Sequence, residues 1–322
     1  GYTYTGKLAD GDKLEVEVVG SQTDKGSSKN WFTYTLAEGT KADNYTITQE
    51  YGELVVTKNT SVINITAKSA NKTYDGQALT ETRYDFTQTI LAEGDVLTAV
   101  VEGSQTDAGS SANVVKSYRV MRGDVDVTDF YTFGEIENGT LTVTERKVTL
   151  TSESADKPYD GTPLTNHNVT VSGKGFADGE GATYTVTGSQ TLAGSSANTF
   201  SYTLNEGTNP DNYNITTNPG TLTVTAVSDK VVVTIKEHSG TAKYDGSEKT
   251  VTGYDTEISN PLYTTDDFRF TGDATITGTD AGSYDMELVP ENFENISNNF
   301  SNVEFVIEDG TLTISKREVT LT

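Results

Sequence analysis

The chain has 322 residues, no cysteine, and 47 acidic against 23 basic side chains, for a net charge of -24. That charge argues against nucleic acid and anionic membranes as partners, because both bind clustered positive charge. The missing cysteine excludes disulfides, thiolate metal sites and thiol nucleophiles, and no apolar run approaches the roughly 18 residues of a membrane helix.

Three short motifs recur along the chain and predict a tandem repeat. Tyr-Asp-Gly occurs at residues 74–76, 159–161 and 244–246. A Gly-Ser-Gln-Thr marker begins at Gly20, Gly103 and Gly188, with a shorter relative at 278–282. A closing Gly-x-Leu-x-Val or Gly-x-Leu-x-Ile segment begins at Gly52, Gly139, Gly220 and Gly310. The motifs therefore predict a partial repeat at 1–57, full repeats at 58–144, 145–226 and 227–315, and the first strand of a further repeat at 316–322.

In chain order, each repeat shows apolar residues at every second position, the pattern of half-buried strands. The first repeat has Phe32, Tyr34 and Leu36 on one face, and the third shows the same alternation at 183–187 and 200–204. Thr, Val, Tyr and Ile dominate these segments, and no helical period is sustained. The sequence predicts an all-β chain of tandem immunoglobulin-like β-sandwich repeats in an elongated rod.

The two markers have turn composition, so we interpret them as structural turns in which Gly supplies positive φ. The second repeat carries one added residue between Asn113 and Tyr118, which predicts a β-bulge. The fourth repeat lacks the Ser-Ser-Ala-Asn part of its marker and should form a tighter hairpin.

The order of motifs resembles that of MBG and YDG-type repeats of bacterial cell-surface proteins. It runs from Lys-x-Tyr-Asp-Gly through Asp-Gly-Glu or Glu-Gly-Asp and Ala-Gly-Ser to Asn-Tyr, at 44–45 and 212–213, and then Gly-Thr-Leu-Thr-Val. The second repeat departs from the pattern, with Asp129-Phe130-Tyr131 in place of Asn-Tyr. The resemblance implies an extracellular adhesin or stalk and names no catalytic residue.

Candidate chemistry is sparse in the sequence. The two histidines, His167 and His238, occupy different positions of different repeats, so they form no shared triad or zinc site. Acidic loops leave weak calcium binding open, although none has EF-hand spacing. A Lys-to-Asn cross-link is a further alternative, since Lys72, Lys157 and Lys243 recur beside Tyr-Asp-Gly.

These observations favour a structural role without enzymatic activity or a cofactor. We expect spacer or stalk repeats of an exported bacterial surface adhesin, monomeric within a longer chain and located at the cell surface or cell wall. The alternative is a binding module for a host glycan, mucin or matrix protein. Candidate ligand residues are Trp31, the only tryptophan, and the integrin-type tripeptide Arg122, Gly123 and Asp124 in a predicted exposed loop.

Overall fold

The computed structural model describes residues 1–87 and 91–321. Within them the chain is built of strands and turns, and its helical segments are 3₁₀ turns of three residues each, which confirms the all-β prediction. Internal contacts divide the chain into two compact units, Gly1–Arg146 and Lys147–Thr322. The immunoglobulin-like arrangement and the elongated rod stay predictions.

The first repeat has four strands and an open interior. They are β1 (Leu14–Val18), β2 (Gly26–Asn30), β3 (Phe32–Leu36) and β4 (Gly52–Val56). β1 pairs with β3 and β2 with β4, both antiparallel. No residue between 1 and 57 is fully buried, so the alternating apolar residues of this repeat are only half covered.

The second repeat closes around a buried core. Its strands are β5 (Val62–Ala67), β6 (Ala70–Thr73), β7 (Tyr84–Phe86), β8 (Asp95–Glu102), β9 (Gly109–Arg122), β10 (Val125–Asp126), β11 (Thr132–Glu137) and β12 (Gly139–Thr144). One sheet has the order β11-β5-β7, and the other has β10-β9-β12-β6 with β8 also on β9. Ile63 and Ile65 of β5 are 0% exposed at the centre of this core.

The predicted bulge of the second repeat is confirmed in β9. Val100 pairs with Ser117 and the next residue, Val101, pairs with Val115, so Lys116 has no counterpart on β8. The extra residue therefore lies where the sequence places it, inside a continuous antiparallel pair.

The third repeat has a similar arrangement of strands. Its strands are β13 (Arg146–Ser152), β14 (Ala155–Pro158), β15 (Val169–Gly173), β16 (Ala182–Val186), β17 (Gly194–Asn198), β18 (Phe200–Leu204), β19 (Tyr213–Asn218) and β20 (Gly220–Thr225). The sheets have the orders β15-β13-β19, β14-β20-β17 and β16-β18. Val148 and Leu150 of β13 are buried between the flanking strands.

The fourth repeat has the largest core, rich in aromatic rings. Its strands are β21 (Val231–Glu237), β22 (Gly240–Lys243), β23 (Lys249–Thr252), β24 (Tyr254–Ile258), β25 (Phe268–Phe270), β26 (Thr275–Gly278), β27 (Gly282–Asp285), β28 (Phe293–Asn295), β29 (Val303–Glu308) and β30 (Thr311–Ser315). Val233 and Ile235 of β21 are 0% exposed among Tyr263, Phe268 and Phe293.

The marker segment does more than turn the chain, which corrects the sequence interpretation. In the third repeat its Gly-Ser-Ser-Ala-Asn portion is strand β17, which pairs antiparallel with β20. In the fourth repeat the connection from Gly278 to Gly282 is short, as predicted, but β26 and β27 lie in different sheets. The predicted tighter hairpin is therefore wrong, because the strands on either side of the marker take their hydrogen bonds from other partners.

The two strands that open a repeat run parallel to the two strands that close it. β6 pairs with β12, β14 with β20 and β22 with β30 in this way, and β5 with β11 and β21 with β29 add a second parallel ladder. The ladder between β21 and β29 joins six residue pairs, from Val231 with Val303 to Lys236 with Glu308. The polypeptide thus enters and leaves each of these repeats on strands that are held to each other.

Candidate functional site

Arg122 of the predicted integrin-type tripeptide lies in a charged cluster and not on a free loop tip. Its guanidinium forms two hydrogen bonds to the Asp95 carboxylate, Nε to Oδ1 at 2.6 Å and Nη2 to Oδ2 at 3.0 Å. It also contacts Asp24 of the first repeat. Gly123 and Asp124 are exposed in the turn between β9 and β10. The tripeptide therefore presents its Asp to solvent, while its Arg is held by two carboxylates.

Asp95 is the centre of this Arg122 cluster, formed by Asp24, Asp95, Arg122 and Tyr131. The Asp95 residue is 8% exposed, and the Tyr131 hydroxyl donates to its second carboxylate oxygen. Hydrogen bonding from Arg122 outweighs burial and, with the bond from Tyr131, holds the pKa of Asp95 below its ordinary value. Burial, followed by the bond to Asp95, raises the pKa of Tyr131. At neutral pH, therefore, Asp95 is ionised and Tyr131 is protonated.

The tyrosine-to-carboxylate bond recurs in the first and third repeats, together with a bond to the tyrosine from a backbone N–H. Tyr45 donates to Asp12 at 2.6 Å and accepts from the Ala9 N–H at 2.8 Å. Tyr213 donates to Glu180 at 2.7 Å, and accepts from the Ala177 N–H at 2.9 Å.

The second repeat shows the same geometry, with the Ala92 N–H donating to Tyr131 at 3.0 Å. We call this arrangement of tyrosine, carboxylate and alanine N–H the tyrosine clasp. It joins the loop before the central strands to the segment that follows the 3₁₀ turn.

Both halves of the tyrosine clasp are visible in the sequence, but only as the separate motifs Asp-Gly-Glu and Asn-Tyr of the family pattern. The separation between the alanine and the tyrosine is the same, 36 residues, in the first and third repeats. That constant spacing is the signal that could have predicted the contact.

The first and third Gly-Ser-Gln-Thr loops contact the repeat that follows them. Asp24 in the first marker reaches Arg122, and the Lys25 ammonium donates to the Asp129 carbonyl at 3.4 Å. In the third marker the Ala193 N–H donates to the Asn299 side chain of the fourth repeat at 2.8 Å. These two markers therefore belong to junctions between repeats, a role that their turn composition did not reveal.

A Tyr-Asp-Gly turn also takes part in a junction. The Tyr159 ring packs edge-on against Phe300, with centroids 5.6 Å apart, and joins the rim of the fourth core. Leu262 of the fourth repeat approaches Gly161 of the same turn. Aromatic contact of this kind adds about 0.5–1.5 kcal/mol beyond area burial. The turn thus anchors the third repeat to the fourth.

Comparison with known families assigns the fourth repeat. Residues 229–316 match the MBG domain family. The fourth repeat is thus similar to an MBG domain, and we refer to it below as the MBG-type repeat. No curated protein matches the chain.

The MBG-type repeat differs from the second and third repeats at one buried polar position. In those repeats a buried Asn bridges backbone carbonyls: Asn113 donates to Lys68 and Glu81, and Asn198 to Glu153 and Asn166. A Cβ on Gly188 would lie 2.3 Å from the Asn198 side-chain oxygen, so the marker glycine is required for this close approach.

The MBG-type repeat has Met286 opposite Gly310, where the third repeat has Asn198 opposite Gly220. The buried Glu237 carboxylate there accepts the Leu288 N–H at 2.9 Å and the Gly310 N–H at 2.7 Å.

The lysine beside each Tyr-Asp-Gly turn is tied to the turn itself in two repeats. Lys72 donates to Asp75 at 2.6 Å, and Lys157 donates to Asp160 at 2.6 Å. Both lysine side chains are 21% exposed. In the MBG-type repeat Lys249 takes this place and donates to Asp245 at 2.8 Å. These ion pairs fix the turns, and in the second and third repeats they engage the Lys72 and Lys157 ammonium groups that a Lys-to-Asn cross-link would use.

Trp31, the candidate ligand residue of the first repeat, is exposed. It is 49% exposed, its ring lies 4.5 Å from that of Tyr51, and the Lys29 ammonium is 5.4 Å from the ring centroid. The backbone N–H of Trp31 donates to the Lys29 carbonyl. The backbone N–H of Thr199 donates to the Ala197 carbonyl in the same way in the third repeat, so Trp31 and Thr199 are equivalent. Trp31 therefore presents an aromatic face at a position that is polar elsewhere.

The remaining titratable groups form no metal-binding constellation in residues 1–87 and 91–321, where no three His, Cys, Asp or Glu side chains converge on one point. His167 is exposed. The Thr252 carbonyl, and then Asp255, raise the pKa of His238. Over the same described residues no helix is long and apolar enough to cross a membrane.

Proposed function

We propose that the chain is a load-bearing spacer of an exported bacterial surface protein, in which tandem repeats hold a more distal adhesive part away from the cell. The observation that carries the proposal is the parallel pairing of the second strand with the last strand in three successive repeats. Tension along the chain enters a repeat at its first strand and leaves at its last.

Parallel terminal strands respond to tension in a particular way. Pulling the start of β21 against the end of β30 slides the paired strands along each other, so the backbone hydrogen bonds of both ladders are loaded together. Pulling two adjacent ends apart would instead break the bonds one after another. Resistance to tension is a rate property, set by the barrier to unfolding. The parallel ladders have to rupture before the rest of the repeat unfolds, so the barrier to unfolding under tension lies at these strands.

Contacts at the junctions support the same role. Asp24 on Arg122 and Tyr159 on Phe300 link neighbouring repeats within each compact unit. Such contacts restrict hinge motion between neighbours, which suits a spacer. The predicted elongated rod would give a radius of gyration well above the roughly 20 Å of a compact chain of this length, which small-angle scattering measures.

Single-molecule pulling on the MBG-type repeat tests the proposal. Because the natural chain has no cysteine, handles can be attached at chosen sites without competition. Handles at Asp229→Cys and Lys316→Cys load the terminal strands in shear. Handles at Asp229→Cys and Asn302→Cys, on equally exposed residues, peel β29 from β21. We expect a rupture force several-fold higher for the first pair; equal forces would remove the physical basis of the stalk.

A second function is favoured by Trp31 alone. An exposed indole beside Tyr51 and Lys29 is a platform on which a sugar ring of a host glycan or mucin can stack. Binding to a panel of glycans, mucins and matrix proteins should then be lost in Trp31→Ala and kept in Val55→Ala, a change at another exposed apolar residue. If no member of the panel binds saturably, only the spacer role remains.

A further inference from the structure

Strand β8 of the second repeat has one paired side and one open side. It pairs with β9, and no other strand of the described residues pairs with it. Leu97 of β8 lies opposite Val120 of β9. The Val120 N–H donates to the Thr128 hydroxyl and its carbonyl accepts the Val127 N–H, both at 2.9 Å. The Leu97–Val120 pair therefore exchanges no ladder hydrogen bonds, and the main-chain groups of Leu97 and, by alternation, Ala99 point to the open side.

The outer face of β8 differs from that of the equivalent strands. In the first three repeats the marker glycine lies eight residues after the carboxylate of the tyrosine clasp, so the strands between them align without a gap. The outer positions are Lys13, Glu15 and Glu17 in β1, Gly181, Thr183 and Thr185 around β16, and Val96, Thr98 and Val100 in β8. Charged side chains commonly protect an edge strand from pairing with another chain. β8 has none at these positions.

The sequence of β8 is suited to pairing with a further strand. Residues 96–101 read Val-Leu-Thr-Ala-Val-Val, without charge, proline or glycine. Val96 and Val100 are 58% and 49% exposed on the outer face. A segment of high β propensity and no charge at an open sheet edge is the signature of a strand that accepts another strand.

The charge distribution favours a second copy of this chain as the partner. The chain has a net charge of -24, yet residues 95–122, which span β8 and β9, carry three acidic and three basic side chains. Two copies can therefore approach through this hairpin with little of the repulsion that the whole chain carries.

We propose that β8 pairs antiparallel with β8 of a second copy of this chain, about a two-fold axis at Thr98, so that the two sheets become continuous. Leu97 of one copy then lies opposite Ala99 of the other, and these residues exchange main-chain hydrogen bonds. The Leu97 carbonyl accepts the Tyr84 hydroxyl at 3.4 Å and has a second lone pair for the new bond.

The same register covers the exposed valines of β8. Val96 of one copy lies opposite Val100 of the other, and the two Thr98 side chains meet at the axis. Apolar and Thr–Thr cross-strand pairs of this kind stabilise antiparallel sheets. The inference depends on β8 alone, within a complete repeat, and is independent of the stalk role.

Sedimentation of the intact chain over a concentration series tests the association. The natural chain should form a reversible dimer. Thr98→Glu places two carboxylates opposite each other at the axis and should raise the dissociation constant by about 10-fold or more. Val171→Glu adds the same charge at an exposed residue of the third repeat and should leave the constant unchanged. A chain that stays monomeric at millimolar concentration, or an equal loss in both variants, overturns the proposal.

A disulfide trap locates the contact. The natural chain has no cysteine, so Thr98→Cys gives each copy a single thiol. Opposite residues of an antiparallel pair that share no ladder bond have Cα atoms about 4.5 Å apart, within the range of a disulfide. Oxidised glutathione, reduced in the exchange, should therefore convert this variant rapidly to a covalent dimer.

Ser117→Cys is the matched control for the trap. Ser117 is exposed on β9 opposite Val100, and the proposed pairing keeps the Ser117 residues of the two copies far apart. Its cross-linking should stay at background. Equal yields from Thr98→Cys and Ser117→Cys would contradict pairing through β8.

Discussion

The first and fourth repeats have the same alternation of polar and apolar residues but differ in burial. In the MBG-type repeat, β21 supplies Val233 and Ile235 to a core in which both are 0% exposed. In the first repeat Phe32 and Tyr34 remain half exposed. The difference lies in the first strand, which is central to one sheet of the fourth repeat and has no counterpart in residues 1–57. One central strand therefore decides whether this pattern closes into a core.

Matched truncations in the two repeats should give the largest difference. Ile235→Ala leaves a cavity in a closed core and should cost about 2–5 kcal/mol of unfolding free energy. Leu14→Ala removes a similar volume from the half-exposed apolar face of the first repeat and should cost less than half of that, because solvent already reaches the site. Hydrogen exchange resolved by mass spectrometry measures each repeat separately, which a single melting curve does not. Equal losses would mean that the first repeat is closed in solution.

Removal of the tyrosine hydroxyl from the clasp should also destabilise a closed repeat more than the first repeat, but by a smaller free energy. Tyr131→Phe leaves the partly buried Ala92 N–H without its acceptor and the buried Asp95 carboxylate without one donor, and should destabilise the second repeat by about 1–3 kcal/mol. Tyr45→Phe removes the equivalent hydroxyl from a more exposed site, where water replaces it, and the loss should be clearly smaller. The fourth repeat has Phe293 after its corresponding 3₁₀ turn, so Phe293→Tyr serves as a control that should not stabilise it.

The Arg122 cluster predicts a pH dependence for the second repeat. The pKa of Asp95 is lower in the folded state than the ordinary value of about 3.9. Its contribution to stability is therefore present above that ordinary value and is lost as the pH falls through the lower, folded pKa. Arg122→Met should move the onset of the loss to higher pH, because the buried carboxylate then lacks its cation. Exchange rates of β8 and β9 amides between pH 3 and 7 measure the onset.

The smallest effect is expected at the Tyr-Asp-Gly turns. Lys157→Met breaks the pair with Asp160 but leaves the bonds from Thr162 to that carboxylate. The pair is near the surface, so solvent and salt screen it, and the stability of the third repeat should hardly change. Thermal unfolding at low and high salt checks this. A large, salt-dependent loss would mean that ion pairs, and not core closure, distinguish the repeats.

Much of the fold was predictable from local pattern. Alternating Val, Tyr, Thr and Ile predicted the all-β class, and one inserted residue predicted the bulge at Lys116. Strand β17 was missed because Gly194, Ser195 and Ser196 have turn composition, and only the ladder with β20 makes them a strand. The Asp24 to Arg122 contact joins residues 98 positions apart. No local periodicity indicates such a contact, so the sequence alone predicted Arg122 as an exposed ligand residue.

The exchange of Asn198 for Met286 has a consequence for how such an array can evolve. Tandem genes gain and lose copies by crossing over between similar segments. In the third repeat Ser152 takes the place of Glu237, because its hydroxyl accepts the Gly220 N–H as the Glu237 carboxylate accepts that of Gly310. A crossover inside a repeat would combine Ser152 with Met286, which leaves the Leu288 N–H without the Glu237 carboxylate. We therefore expect exchange to be tolerated at the borders between repeats, with each repeat passed on as a whole.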